Sequence, residues 1–328
     1  MRAVTLAAPD RLEVRDDHPE PECGPDDVLV AVWGVGVCGS DLAVVSGRRA
    51  VPALPWVIGH EAVGDVVAVG AAVTDRYVGQ RIVVEPNFPC LRCESCRAGL
   101  TAGCAHRRSL GINEPGVLAE RIVVPARFTW PVDADLDPCD ALCVEPLAVA
   151  LSAVDRVGVE PGQRCLVIGA GAQGQLVSLA VRARGGIPVV TDINTERAKL
   201  AVELGAEQFA RNDERFAVVV ETSGAPSTLA EAVSRTAHGG SIALIGQSET
   251  PSSVRTFDVV QRRLTLHGCL IYDHPHGFAA TLELLRAGDV RPGRLLRRRF
   301  PLGDSAAAFR TAAVSPGKSW ISIAEGAR

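Results

Sequence analysis

The sequence predicts an α/β chain of two domains, one built from short antiparallel-type strands closing towards a β-barrel and one built as a doubly wound parallel sheet. Two observations carry this. Between residues 27 and 84 short Val-rich runs alternate with Gly and Pro turns, and from residue 162 a buried apolar run passes through closely spaced glycines into an apolar helix, after which strands and helices alternate. The length of 328 residues allows two sizeable cores.

Taken in order, Ala3-Val4-Thr5-Leu6, Leu12-Glu13-Val14 and Asp27 to Val32 read as strands, the last alternating so that one face is buried. It delivers the chain to Val37-Cys38-Gly39-Ser40-Asp41, and Gly59-His60-Glu61 follows about twenty residues later. A thiolate, an imidazole and a carboxylate are the ligand types of a catalytic zinc, whose fourth place is left for water or substrate. Alone, Cys38 reads equally as a small buried core residue. Val63 to Gly70 and Arg81 to Val84 continue the short strands and leave His60 near the end of a loop.

Cys90, Cys93, Cys96 and Cys104 form the most specific pattern in the chain. Two-residue spacers let successive sulfurs face one point about 2.3 Å from a metal, and four thiolates close a tetrahedral site with no open position, so the zinc there is structural. An iron–sulfur cluster is the competing occupant. Beyond a glycine-rich turn at residues 111–116 and a strand at 119–125, a helix begins near Asp140 and carries Glu145 and Pro146 in apolar surroundings. An ionised carboxylate there either reaches solvent at the helix start or faces a cation, because burying it alone costs several kcal/mol.

The second domain shows itself first in the stretch from Gly162. Its strand runs into Gly169-Ala170-Gly171-Ala172-Gln173-Gly174 and then an apolar helix from Leu176 to Val181. Gly169 permits the tight turn, Gly171 lets the backbone approach a pyrophosphate, and Gly174 lets helix and strand pack closely. A second strand, Ile187 to Thr191, ends at Asp192, where a carboxylate accepts from the adenosine ribose and repels a 2′-phosphate, so NAD is expected over NADP; capping the helix from Thr195 to Leu204 is the other role open to Asp192. Strands at 217–221, 241–246 and 264–266 follow, with a helix from Ser227 to Arg235 between the first two. Cofactor contacts are expected from Gly169, Gly171, Gln173, Gly174, Asp192, Thr222 and Gly246, at the carboxyl ends of the strands.

A net charge of −4 gives no footprint for nucleic acid, and Arg297-Arg298-Arg299 reads as a solvated edge. No apolar segment approaches a membrane span, and the short apolar run before Pro9 is no signal peptide, so a cytoplasmic protein is expected. Ten cysteines then argue for metal or reactive thiols rather than disulfides.

Cys38, His60 with Glu61, the four-cysteine stretch, Glu145-Pro146 and the glycines 169–174 occur in one order from end to end. In that order the chain resembles the zinc-containing medium-chain dehydrogenases, the alcohol, polyol, threonine and glucose dehydrogenase family, and Glu rather than Cys at 145 is similar to the polyol and sugar branch. The resemblance implies a GroES-like catalytic domain from residues 1–148 and 268–328, enclosing a Rossmann NAD-binding domain at 149–267. It implies two zinc ions per chain, a catalytic one on Cys38, His60 and a carboxylate from Glu61 or Glu145, and a structural one on the four cysteines. The substrate implied is a small-molecule alcohol or ketone: a secondary alcohol of the polyol, sugar or aminocyclitol class that gives a hydride to NAD. Ser40 and Glu61 belong to the implied catalytic set, Ser40 accepting the substrate proton. Many relatives carry a relay histidine where this chain has Ala43, and glucose-dehydrogenase-like members also lack it, which points the substrate reading towards sugars or cyclitols. Asn113 and Glu114 fall where such members contact sugar hydroxyls, or simply form a turn. Trp33, Trp56, Phe88 and Tyr272 are candidate lining residues. A homodimer or homotetramer is implied, with no membrane or nucleic-acid partner. Two alternatives accompany this reading: a reductase of a biosynthetic ketone or a simple alcohol or threonine-type dehydrogenase, and a catalytically silent nucleotide-binding protein.

Overall fold

A computed structural model describes residues 1–210 and 213–323. The chain divides into two compact units, one running from Met1 to Glu145 and resuming at Leu296, the other spanning Pro146–Leu295. The return to the first unit therefore falls at 296 rather than at 268. The intervening stretch stays with the second unit because its helix His276–Ala287 buries Phe278, Leu282 and Leu285, and the turn Pro292–Leu295 packs on the helix Ala172–Ala183.

The first unit is organised around the strand Asp27–Gly36, whose Val28, Val30 and Val32 point into the core as the alternation predicts. Its seven-stranded sheet runs Thr129–Pro131, Arg81–Val84, Glu61–Val69, Asp27–Gly36, Lys318–Ser322 and Leu296–Pro301, with Arg121–Pro125 also paired to Asp27–Gly36. Only the last two strands of that path run parallel. A three-stranded sheet of Arg11–Arg15, Ala3–Ala8 and Trp56–Val57 lies beside it in sequence and shares the same apolar core. The register decides the site: Gly36 stands opposite Glu61 on one side and Trp320 on the other.

The second unit holds a six-stranded sheet, parallel throughout, in the order Glu207–Gln208, Ile187–Thr191, Arg164–Ile168, Phe216–Glu221, Thr236–Leu244 and Thr265–Gly268. The chain starts in the middle, works outward to one edge and then returns to build the other. This is the doubly wound arrangement, with its strand-order reversal beside Arg164–Ile168. Continuous apolar runs such as Cys165 to Ile168 and Val218 to Val220 suit strands covered on both faces. Among the described residues no helix is long and apolar enough to cross a membrane.

Candidate active site and cofactor loop

Cys38 follows the strand Asp27–Gly36 and stands at the N-cap of the helix Gly39–Val45. Asp41, in the first turn, accepts from the Cys38 N–H through Oδ2 at 3.1 Å, the acidic half of a capping box. Its other oxygen, Oδ1, lies 3.0 Å from His60 Nδ1. One buried carboxylate thus orients both the thiol-bearing residue and the imidazole, and it leaves His60 Nε2 to face the site. Ser40 Oγ sits 3.3 Å from Cys38 Sγ and 3.4 Å from that Nε2.

Ligand atoms of Cys38, His60 and Glu61 all lie within 4.8 Å of one another. Two separate places in the sequence, Cys38 and the adjacent pair His60-Glu61, therefore converge on one point, and sulfur, nitrogen and carboxylate oxygen are a donor set that fits zinc. Burial works against charge on His60, but the Asp41 carboxylate and the Cys38 sulfur outweigh it and hold the ring's pKa well above the usual histidine value. Metal binding at Nε2 must then displace a proton.

Glu61 is fully buried and has a partner that the sequence did not announce. Lys318 Nζ donates to its Oε1 at 2.8 Å, stands 2.6 Å from its Oε2, and donates to the Val37 carbonyl at 3.0 Å. Burial lowers the Lys318 pKa, yet the Glu61 and Cys38 charges raise it by more, so the ammonium stays charged. The meeting is possible because residue 36 is glycine: a Cβ there would come 2.0 Å from Glu61 Oε2 and 3.0 Å from Lys318 Cε. Glu145, in the first turn of the helix Val144–Val157, is 5 % exposed, which removes the solvent-facing alternative. It is not one of the three converging ligands, but burial, opposed by His60 and reinforced by Glu61, lifts its pKa to about 7.

Cys90, Cys93, Cys96 and Cys104 form the second converging group among the described residues, with Cys93 Sγ 3.5 Å from Cys96 Sγ and 3.9 Å from Cys104 Sγ. Backbone N–H groups of Arg92 and Cys93 draw the Cys90 thiol down to about 6, while lost hydration pushes Cys96 up to about 12. A set that already stabilises one thiolate through backbone donors suits a cation.

In the second unit Gly169 has φ +95°, and a Cβ there would stand 2.8 Å from Thr222 Oγ1; a Cβ on Gly174 would stand 1.8 Å from the Gly169 carbonyl oxygen. Gly171 has open space where its side chain would be. Asp192 accepts from the N–H of Ala170 at 2.6 Å and of Asn194 at 2.7 Å, tying the second strand's end to the glycine loop. The helix Thr195–Glu203 is capped by Asn194, not by Asp192. Gln173 spends its amide on the Pro146 carbonyl at 3.3 Å, and Thr222 Oγ1 donates to the carbonyls of Ile168 and Gly169 at 3.1 and 3.0 Å.

Some candidates are occupied elsewhere. Asn113 accepts from Ser109 N–H at 2.6 Å and donates to the Arg107 carbonyl at 3.1 Å, so its amide holds the turn. Trp33 stacks on Trp320 at 5.0 Å, Phe88 on Phe128 at 4.7 Å, Trp56 donates to the Gly111 carbonyl at 3.3 Å, and Tyr272 is fully buried against Phe278. Arg297, Arg298 and Arg299 lie exposed on the edge strand Leu296–Pro301, with the Arg299 guanidinium 5.4 Å from the Trp320 ring centre. The functional residues that the sequence reading passed over, Asp41 and Lys318, carry different signals. Asp41 stands at capping-box spacing from Cys38, whereas Lys318 is a lone lysine in a strand whose five residues are all buried.

Residues 24–134 match the family model of the alcohol dehydrogenase GroES-like domain, and residues 173–287 that of the zinc-binding dehydrogenases. L-threonine 3-dehydrogenase of Saccharopolyspora erythraea is 33% identical over 332 residues, covering 95% of this chain and 96% of that protein. Sorbitol dehydrogenase of Bacillus subtilis is 30% identical, covering 90% and 88%. A zinc-binding dehydrogenase from Sinorhizobium meliloti 1021, solved bound to NADP, superposes with a TM-score of 0.91 at 29% identity over 98% of this chain and 99% of that one. The chain belongs to the zinc-type medium-chain dehydrogenases, oxidoreductases that act on CH–OH groups with a nicotinamide cofactor.

Proposed function

We propose that the substrate is a secondary alcohol of the polyol, sugar or aminocyclitol class, oxidised with NAD, and that each chain carries a catalytic and a structural zinc. The observation that carries the catalytic part is the convergence of Cys38, His60 and Glu61. Zinc held there supplies Lewis acidity that makes a substrate hydroxyl easier to deprotonate near neutral pH. Cys38 and His60 would hold the metal, with Asp41 fixing the ring by its Nδ1, and Glu61 or Glu145 would supply the carboxylate. Glu61 belongs to the converging set, although both its oxygens also face the Lys318 ammonium; Glu145 is the other buried carboxylate.

Ser40 is placed to take the substrate proton, its hydroxyl being 3.3 Å from Cys38 Sγ. With Ala43 in place of a relay imidazole, the proton would leave through water or the cofactor ribose. Gly169, Gly171, Gln173 and Gly174 form the pyrophosphate loop, Thr222 and Gly246 border it at neighbouring strand ends, and Asp192 supports NAD over NADP by its charge next to the ribose position. The open edge of Thr265–Gly268, flanked by exposed Phe257, Val260, Leu266 and Leu270, supports pairing of two copies into a dimer or a tetramer built from it. A cytoplasmic location suits ten unpaired thiols.

The test combines metal analysis with cofactor-coupled oxidation of polyols, sugars and aminocyclitols, using NAD and NADP in parallel. The expected result is about two zinc ions per chain and NADH formation with at least one of these classes. Less than about one zinc per chain after gentle purification, or turnover only with simple primary alcohols, overturns the reading.

A further inference from the structure

Glu221 closes the strand Phe216–Glu221 and is 3 % exposed. A carboxylate at such a depth needs partners, and here a single oxygen collects them. Oε1 accepts from the Ser223 N–H at 2.8 Å, Ser223 Oγ at 2.6 Å, the Gly224 N–H at 3.0 Å and Thr228 Oγ1 at 2.9 Å. The same residue's backbone carbonyl accepts from the N–H of Ile245 at 2.9 Å and of Gly246 at 3.2 Å. The Glu221 side chain therefore organises the loop that follows its own strand, while its backbone carbonyl holds the loop that follows the next strand in the sheet.

Those two loops touch backbone to backbone. A Cβ on Gly246 would stand 2.1 Å from Gly224 N and 2.6 Å from Glu221 Oε2, and one on Gly224 would stand 2.6 Å from the Gln247 carbonyl oxygen. Thr222, the residue after Glu221, reaches the other way to the Ile168 and Gly169 carbonyls. The ends of three adjacent strands, Arg164–Ile168, Phe216–Glu221 and Thr236–Leu244, are thus joined through Glu221 and Thr222. An apolar residue at 221 would pack within the sheet, but it would offer the four donors nothing and leave the loop without its centre.

We propose that Glu221 is a positioning residue for the nicotinamide half of the cofactor. The inference rests on the reading that the glycine loop holds the pyrophosphate. With Asp192 and Ile187–Thr191 on the adenosine side of that loop, a dinucleotide crossing the strand ends reaches next the loops 222–224 and 245–247, whose mutual position Glu221 sets. Glu221 is buried and acts through those loops. Its effect is on the shape and rigidity of the surface that meets the far half of the ligand.

The experiment uses the full-length protein and compares dissociation constants for NADH and for ADP, which reports on the adenosine half alone. Glu221→Asp withdraws the acceptor by one methylene, and it is expected to weaken NADH about tenfold or more while leaving ADP within about twofold. Glu221→Gln keeps an acceptor oxygen at the Oε1 position and recovers most of the NADH affinity. Thr228→Val, which removes one donor and leaves the carboxylate in place, weakens NADH by about threefold in the same selective sense; it decides the matter should Glu221→Asp fail to fold. Unchanged NADH binding in these variants, or a loss shared equally by ADP and NADH, overturns the positioning role. Wild-type protein that binds neither ligand overturns the cofactor reading and this role with it, whereas wild-type binding of both leaves that reading standing and the variants decide alone.

Discussion

Asp41 Oδ1 lies 3.0 Å from His60 Nδ1 while Oδ2 accepts from the Cys38 N–H, so one side chain sets two of the three converging ligands. Removing its charge without changing its shape loosens both. Asp41→Asn is expected to weaken zinc binding roughly 10- to 100-fold. Competition against a chromophoric chelator measures this; an affinity equal to wild type would show that the helix alone orients His60.

Lys318 and Glu61 are both buried and meet at 2.6 Å. Breaking a buried pair strands the remaining charge. Lys318→Met is expected to lower the unfolding free energy by about 3–5 kcal/mol, and adding Glu61→Gln should return much of the loss. Denaturant melts of the single and double variants form the cycle, and additive losses would exclude a direct pairing.

Glu145 ties stability to pH in metal-free protein. Its folded pKa of about 7 exceeds the ordinary 4.5, so between those values the folded chain holds a proton that the unfolded chain has released. Its contribution is therefore complete below pH 4.5 and is lost as pH rises through 7, on the order of 3 kcal/mol in all. Chelator-treated wild type should lose that much relative to Glu145→Gln between pH 4.5 and 8. A flat difference across the range would mean that Glu145 is already compensated.

The cysteine group makes a separate prediction. Cys104→Ser is expected to remove one of the bound metal ions and to open the stretch from Cys90 to Arg107 to proteolysis, with cofactor binding retained. Metal content by mass spectrometry and the position of the first cut check it. Loss of both metals together would show that the two sites are not independent.

The glycine loop, the cysteine group and the Cys38 and His60 pair could be read from the chain because each depends on local spacing or on a residue type with few other uses. Asp41 lay in the same short stretch and was missed because its role appears only once the helix at 39–45 is known to start at Cys38. Lys318 could not be found that way. Its partner is fixed by the pairing of Lys318–Ser322 with Asp27–Gly36 and of that strand with Glu61–Val69, and no local pattern encodes two strand registers at once. The sequence places Glu221 only as the last residue of a strand; its burial and its four donors follow from how residues 223–228 fold back over it. The boundary at 296 was misplaced at 268 for a related reason, since a sheet's final strand marks the end of the sheet and not of the helices that cover it.

The Gly36 gap, where Lys318 meets Glu61, also bears on biosynthesis. The two residues are 257 positions apart, so a ribosome adding roughly 5–20 residues per second leaves the carboxylate without its cation for about 13 to 51 s. During that interval Glu61 has no Lys318 to meet, and the sheet of the first unit lacks its strands Leu296–Pro301 and Lys318–Ser322. Completion of the catalytic half therefore waits for the second half to be made, which gives the nucleotide-binding half the chance to fold first.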